Sequence, residues 1–498
     1  MLMRVLHVCA EVYPLLKTGG LADVTAALPS ALNALGCDAR LLVPGFPAIR
    51  DGVADSRIVA KPGPRFGADA LALHRGVLPG TGVVVYFVDA QTLYDRPGGP
   101  YSDPHEHPYL DNHRRFALLG WLAARIASGL DPSWRPDIVH SHDWHAGLAP
   151  AYLCSGEAQT GTLAARSVFT IHNLAYQGVF PAHLFDETEL PRAFFNINGA
   201  EFFGQFSFLK AGLYYADKIT TVSPTYAREI QGAEQGCGLD GLLHHRAADL
   251  HGILNGVDET IWSPALDPHL AAHYDVDALT GKAACKAALQ RLAGLSVRPA
   301  APLFGVVSRL TEQKGLQLVL QALPEIVRRG GQFVLLGSGD PDLERAFKAA
   351  AAAQPDAVAV VIGYDEAMSH RVIAGSDVIM VPSRFEPCGL TQMFGLRYGT
   401  LPLVRRVGGL SDTVVDCSLE NLADGSATGF VFDAFDGVAL DAALRRAFAL
   451  YERDEDWARV QQGAMRARFG WNDSAMKLMS VYRQLVPADR QVRTRQAA

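Results

Sequence analysis

Short apolar runs of four to six residues recur along this chain, each followed by a stretch with helical periodicity, and the whole rhythm occurs twice. The first series is Arg4 to Cys9, Arg40 to Val43, Val83 to Val88, Asp137 to His140, Ser167 to Ile171 and Lys218 to Val222. A strand that is apolar on both faces must be covered on both, and strands alternating with helices are joined in parallel, so the pattern predicts an α/β domain with a parallel sheet. The rhythm restarts with Leu303 to Val307, Gln332 to Leu336, Val358 to Ile362, Val378 to Val381 and Leu401 to Val404. Between the two series, Gly256 to Pro302 carries Pro264, Pro268, Pro299 and Pro302 around one helix-period stretch, Lys282 to Leu292, and marks the domain boundary. Two Rossmann-like sheets of similar size are therefore expected. Such sheets bind ligands outside the carboxyl ends of their strands, which places the expected site in a cleft between the domains.

At 498 residues the chain is longer than one hydrophobic core usually supports, and 49% apolar with 19% charged residues is enough to build two. A net charge of -7 supplies no basic field, which disfavours nucleic acid and anionic membrane as partners. The seven cysteines are scattered, with no C-x-x-C pair, so neither a disulfide framework nor a zinc knuckle is expected and a reducing cytoplasm fits. MLMRVLHVCA reads as a buried strand rather than a signal peptide, and no run of 18 apolar residues predicts a membrane helix. Residues 488–498, with Arg490, Arg493 and Arg495, are expected to form a flexible solvated tail.

Three loops at predicted strand ends carry the chemistry. Lys17-Thr18-Gly19-Gly20 precedes a helix beginning near Leu21 with Asp23 in its first turn. Glycines let backbone approach a ligand, a helix start offers unpaired amides to an anion, and a neighbouring lysine suits a diphosphate, although the same pattern also serves as plain chain punctuation. Ser308 to Gly315 occupies the equivalent place in the second domain and brings Arg309 and Lys314, with a surface ion pair to Glu312 as the bland alternative. Pro382-Ser383-Arg384-Phe385-Glu386-Pro387-Cys388-Gly389-Leu390 follows the strand Val378 to Val381. There a carboxylate, Glu386, is suited to grip hydroxyl groups, while the Gly389 and Leu390 amides open the next helix toward an anion.

His140-Ser141-His142-Asp143-Trp144-His145 crowds imidazoles around a carboxylate. No distant cluster completes a metal site, and on a strand His140 and His142 share a face that His145 need not, so no metal is expected. Thr170-Ile171-His172-Asn173 again ends a strand, where His172 either faces the cleft or is a core imidazole. A G-x-x-x-x-G-K-[ST] phosphate loop is absent, and Gly337-Ser338-Gly339 lacks the third glycine of a dinucleotide fingerprint.

With KTGGLADV, HSHDWHAG, FTIHNLAYQG, ILNGVD, SRLTEQKGL and PSRFEPCGLTQ in one order, the chain resembles bacterial glycogen synthases and plant starch synthases from about Arg4 to Tyr482. The resemblance implies a GT-B fold: an acceptor-binding domain over 1–255 joined by a terminal helix over 471–487, and a nucleotide-sugar-binding domain over 256–470. It implies a retaining transfer, without metal or other cofactor, from ADP-glucose to an α-1,4-glucan such as glycogen. Lys17 and Gly20, with Arg309 and Lys314, resemble the diphosphate ligands, and Glu386, Cys388, Gly389 and Leu390 resemble contacts to the donor sugar and phosphate. His172 and Asn255 resemble residues around the transferred glucose, and Asp143 and Asp23 match glucose-side or acceptor-side positions. Tyr364 in GYDE falls where the family stacks adenine, and Tyr94 in LYDRPGGPY matches a cleft position. Arg309, Lys314, Glu386, His172 and Asp143 are the residues on which catalysis is expected to rest.

Overall fold

Val5, Leu6 and Val8 are wholly shielded from solvent, and their strand, Met3–Val8, lies mid-sheet with parallel neighbours Cys37–Pro44 and Ile138–His142. The computed structural model describes residues 2–161 and 164–486. Its chain divides into two compact units, one taking in the chain up to Val222, Ala227–Gly256 and the stretch from Trp471, the other Ser223–Tyr226 and Val257–Gly470.

Among the described residues, the first unit carries a nine-stranded sheet ordered Leu250–Gly252, Lys218–Thr221, Arg166–Ile171, Ile138–His142, Met3–Val8, Cys37–Pro44, Val84–Asp89, Ala72–Val77 and Ala54–Ala60. All six expected strands are present, with their ends within three residues. The last two strands in that order pair antiparallel and were not foreseen. ADSRIVA is polar, its first five residues exposed, and lacks the apolar run that marks a strand buried on both faces. On one face, Phe116, Leu119 and Leu122 of the helix Asn112–Ala127 pack into a core with Leu41, Val43 and Phe87. On another, Val24, Leu28 and Leu32 of the helix Gly20–Ala34 meet Ala475, Leu478 and Tyr482 of the helix Trp471–Leu485. The expected tail over 488–498 lies outside the described residues.

The second unit holds a six-stranded, all-parallel sheet ordered Val358–Ile362, Gln332–Gly337, Leu303–Val307, Val378–Val381, Leu401–Arg405 and Phe430–Phe432. Leu316, Val319, Leu323 and Ile326 recur at helical spacing and form the buried side of the helix Leu316–Arg328. The proline-rich segment is part of this unit. Asp267, 1% exposed, sits 2.6 Å from both His370 Nδ1 and Tyr398 Oη. The Trp262 ring lies between those of His370 and Phe394, with centroids 3.8 and 3.7 Å away. No helix among the described residues is long and apolar enough to cross a membrane.

Candidate active site

In the first unit the strand Met3–Val8 leads into Glu11, which is 3% exposed. Its carboxylate accepts hydrogen bonds from the Thr18 amide at 2.6 Å, the Thr18 hydroxyl at 2.5 Å, the Gly19 amide at 3.3 Å and the Tyr101 hydroxyl at 2.5 Å. The Thr18 and Gly19 N–H groups are thereby spent on bracing the loop from within. What the loop presents is Lys17, whose Nζ lies 3.0 Å from Asp23 Oδ1, together with Gly20, which begins the helix and as its first residue has no acceptor within it. Lys17, Gly20 and Asp23 are thus gathered at one helix start.

Asp143 follows the strand Ile138–His142 with φ of 56°, a region that costs a non-glycine residue about 1–3 kcal/mol. The strain is held by the next strand over: Asp143 Oδ1 accepts from the amides of His172 at 2.7 Å and Asn173 at 3.3 Å. Burial pushes the Asp143 carboxyl up to about 7 in spite of those two amides. His172 and Asn255 come together on the wall of a cavity of about 30 Å³, shared with His142, Thr170, Thr220 and Thr221.

The histidine motif gains a remote third member that the sequence did not show: His7, His140 and His142 each bring a ring nitrogen within 4.8 Å of the others. His140 Nδ1 lies 2.7 Å from Tyr482 Oη and its Nε2 2.5 Å from Thr170 Oγ1, so both nitrogens are engaged by hydroxyl groups. His142 is bracketed by His7 and His172, and His145 turns away to stack on Tyr101, with centroids 4.5 Å apart. Tyr94 is displaced from its expected place. It is 1% exposed, packs edge-on against Phe46 and donates its hydroxyl to the Arg115 carbonyl at 2.6 Å, which makes it a core residue without a ligand-facing surface.

In the second unit Lys314 Nζ approaches Glu386 Oε2 at 2.7 Å, and Ser383 Oγ donates to the same oxygen at 2.8 Å. Two glycines allow this closeness. A β-carbon on Gly315 (φ 66°) would lie 2.1 Å from the Pro382 carbonyl oxygen, and one on Gly408 (φ 42°) 1.9 Å from that of Glu386. Arg309 stands exposed at the end of the strand Leu303–Val307, on the same loop as Lys314. Cys388 is buried beside Glu386, Gly389 takes φ of 73°, and Leu390 leads directly into the helix Thr391–Arg397. Tyr364 is 71% exposed two residues beyond the strand Val358–Ile362, its hydroxyl against the Glu366 carboxylate. An exposed ring at a strand end suits stacking on a flat ligand.

Glu11, Tyr101, His7, Ser383 and Gly408 were missed by reading the sequence. Ser383 lay inside a motif already singled out and Glu11 just past a predicted strand. Tyr101 closes the LYDRPGGPY motif and His7 lies inside a predicted strand, but nothing local pointed to their partners.

The family described as starch synthase catalytic domain matches residues 4–245, and the family glycosyl transferases group 1 matches residues 295–462. Glycogen synthases of Francisella philomiragia and of Francisella tularensis subsp. novicida are each 59% identical over 485 residues, spanning 97% of this chain and 100% and 99% of their own. The structure of the catalytic domain of starch synthase IV from Arabidopsis thaliana, bound to ADP and acarbose, matches with a TM-score of 0.88 and 33% identity over 98% of this chain and 100% of that one. Sucrose-phosphate synthase from Thermosynechococcus elongatus matches at 0.57 and 17% identity over 98% and 100%, a likeness of fold alone. By its two matched domains, its GT-B fold and its identity to named relatives along almost the whole length, the chain belongs to the glycogen and starch synthase family of glycosyltransferases.

Proposed function

We propose that this chain transfers glucose from ADP-glucose to the non-reducing end of an α-1,4-glucan, with retention of configuration and release of ADP, and so builds glycogen in the cytoplasm. The observation that carries the reading is the Lys314–Glu386–Ser383 contact at the carboxyl end of the second sheet, backed by relatives named glycogen synthase and by a solved relative that binds ADP and acarbose. The seven free cysteines support the compartment.

The second unit, 256–470, is the donor side. Arg309 and Lys314 bind the diphosphate, with the Gly389 and Leu390 amides, and each charge-assisted hydrogen bond contributes roughly 1.5–3 kcal/mol. Because negative charge grows on the departing ADP, these contacts strengthen in the transition state and accelerate transfer. Tyr364 stacks on the base, and Cys388 lines the sugar pocket. Glu386 holds hydroxyl groups of the donor glucose. Its Oε2 is already tied to Lys314 and Ser383, which suits a gripping carboxylate better than a nucleophile attacking the anomeric carbon.

The first unit, 1–255 with the helix 471–487, is the acceptor side. Lys17 and Gly20 contribute to the diphosphate cradle, Asp23 holds Lys17 until ligand arrives, and His172, Asn255 and Asp143 surround the transferred glucose. The acceptor hydroxyl attacks on the face from which ADP leaves, its proton passing to a departing phosphate oxygen, so that one step retains configuration.

Donor competition tests the reading. Glycogen elongation is followed with ADP-glucose and UDP-glucose together, and the anomeric configuration of the new linkage is read by NMR. Preferential use of ADP-glucose with an α linkage is expected, whereas elongation from neither donor defeats the proposal.

A further inference from the structure

Three imidazoles from three adjacent strands run in single file beneath the first unit's site. His7 belongs to the strand Met3–Val8, His142 ends the neighbouring strand Ile138–His142, and His172 directly follows Arg166–Ile171. His7 Nδ1 lies 3.0 Å from His142 Nε2, and His142 Nδ1 lies 2.9 Å from His172 Nε2. His140, the nearest other imidazole, does not branch the chain, because its two nitrogens are engaged by Tyr482 and Thr170. We propose that His7 and His142 are positioning residues for glucosyl transfer, fixing His172 in the tautomer that presents an Nδ1–H donor to the transferred sugar. The proposal rests on the reading of His172 given above.

The sense of the chain follows from proton counting. A neutral imidazole has one N–H and one bare nitrogen, so two successive contacts among three rings must point the same way and the two outer nitrogens must differ. Burial pushes His7 and His172 down to about 3 and His142 well below its ordinary range, so all three rings are neutral at physiological pH. His7 and His142 are sealed from solvent and His7 Nε2 has no partner, while His172 is only half-buried and lines the cavity with Asn255. A sealed, unpaired N–H is the rarer and costlier orphan, so the bare nitrogen belongs at His7 Nε2. His7 Nδ1–H then donates to His142, His142 Nδ1–H donates to His172 Nε2, and the outermost N–H is that of His172 Nδ1.

The test is 15N NMR of the full chain labelled at histidine, with the His172 signals assigned by their loss in His172→Gln. The wild-type chain should show His172 protonated at Nδ1 and bare at Nε2. In His7→Asp, an ionised carboxyl can only accept. Raising the pH through its ionisation should therefore reverse the chain, move the His172 proton to Nε2 and lower kcat about 10²-fold over the same range, the usual effect of losing one aimed donor. His7→Asn, of the same shape but still a donor, should show neither change. A wild-type His172 protonated at Nε2 overturns the proposal, and so does a His7→Asp chain that titrates without moving the proton. Should that variant not fold, His142→Leu decides: it severs the chain, and a His172 tautomer as fixed as in the wild type overturns the coupling. ADP binding measured by calorimetry should match the wild type throughout. Failure of the wild-type chain to extend glycogen would defeat the proposed function and leave the tautomer result standing.

Discussion

Lys314 Nζ lies 2.7 Å from a Glu386 carboxylate that is itself only 5% exposed. In the proposed function the pair serves ligand binding and stability at once. Lys314→Ala removes a cation from the diphosphate and leaves a buried carboxylate held by Ser383 alone, so kcat should fall about 10²- to 10³-fold and stability by about 3 kcal/mol. Lys314→Met with Glu386→Gln should recover most of the stability and none of the activity, because the buried charge is gone along with both ligand contacts. Steady-state transfer from ADP-glucose and thermal unfolding measure the two effects separately. Equal recovery of both would show that Lys314 acts only through the fold.

Glu11 braces the lysine–glycine loop from below with four accepted hydrogen bonds. In Glu11→Gln an amide nitrogen replaces one oxygen and opposes the donors that faced it, at a cost of about 1–3 kcal/mol. The loop should loosen, raising KM for ADP-glucose together with a drop in melting temperature. Lys17→Ala, by contrast, should raise KM with the melting temperature nearly unchanged, since the Lys17–Asp23 pair is partly open to solvent. Unaltered KM in Glu11→Gln would separate the brace from ligand binding.

Much of this arrangement was legible from strand ends. Lys17, Arg309, Lys314 and Glu386 each follow a short apolar run, and chemistry at the carboxyl end of a parallel strand is a local signal. The brace and the imidazole chain were not legible, because their partners are remote. Tyr101 meets Glu11 across 90 residues, and His7 meets His142 across 135. Pairing at that separation is set by sheet order, which the strand pattern leaves open. The pattern likewise could not show which way a side chain points. The Thr18 and Gly19 amides face Glu11 rather than outward, and the bulk of Tyr94 fills the core.

Asp143 ties stability to pH. Its carboxyl is pushed by burial from 3.8 up to about 7, so the folded chain holds a proton there that the unfolded chain has released. Between about pH 4 and 7 the native state binds more protons than the unfolded one, and stability from this group therefore falls as pH rises through that window, by roughly 4 kcal/mol at most. Asp143→Asn keeps the oxygen that accepts the His172 and Asn173 amides and removes the titration. Its melting temperature should exceed that of the wild type at pH 8 and approach it at pH 5, as followed by calorimetry at both values. A constant difference between the two chains across pH would place the titration elsewhere.

Tyr94 separates motif similarity from contact. Its hydroxyl donates to the Arg115 carbonyl, and its ring packs on Phe46 in the core of the first unit. Tyr94→Phe preserves the ring and removes one hydrogen bond to a carbonyl that its helix still pairs, at a cost of about 0.5–1.5 kcal/mol. The loss should register as a lower midpoint in denaturant with an unchanged slope, because the surface exposed on unfolding stays the same. KM for ADP-glucose and for glycogen should both remain at wild-type values, since the hydroxyl points into the protein. A selective rise in either KM without loss of stability would mean that Tyr94 touches ligand after all, and that the buried position seen here gives way when substrate binds.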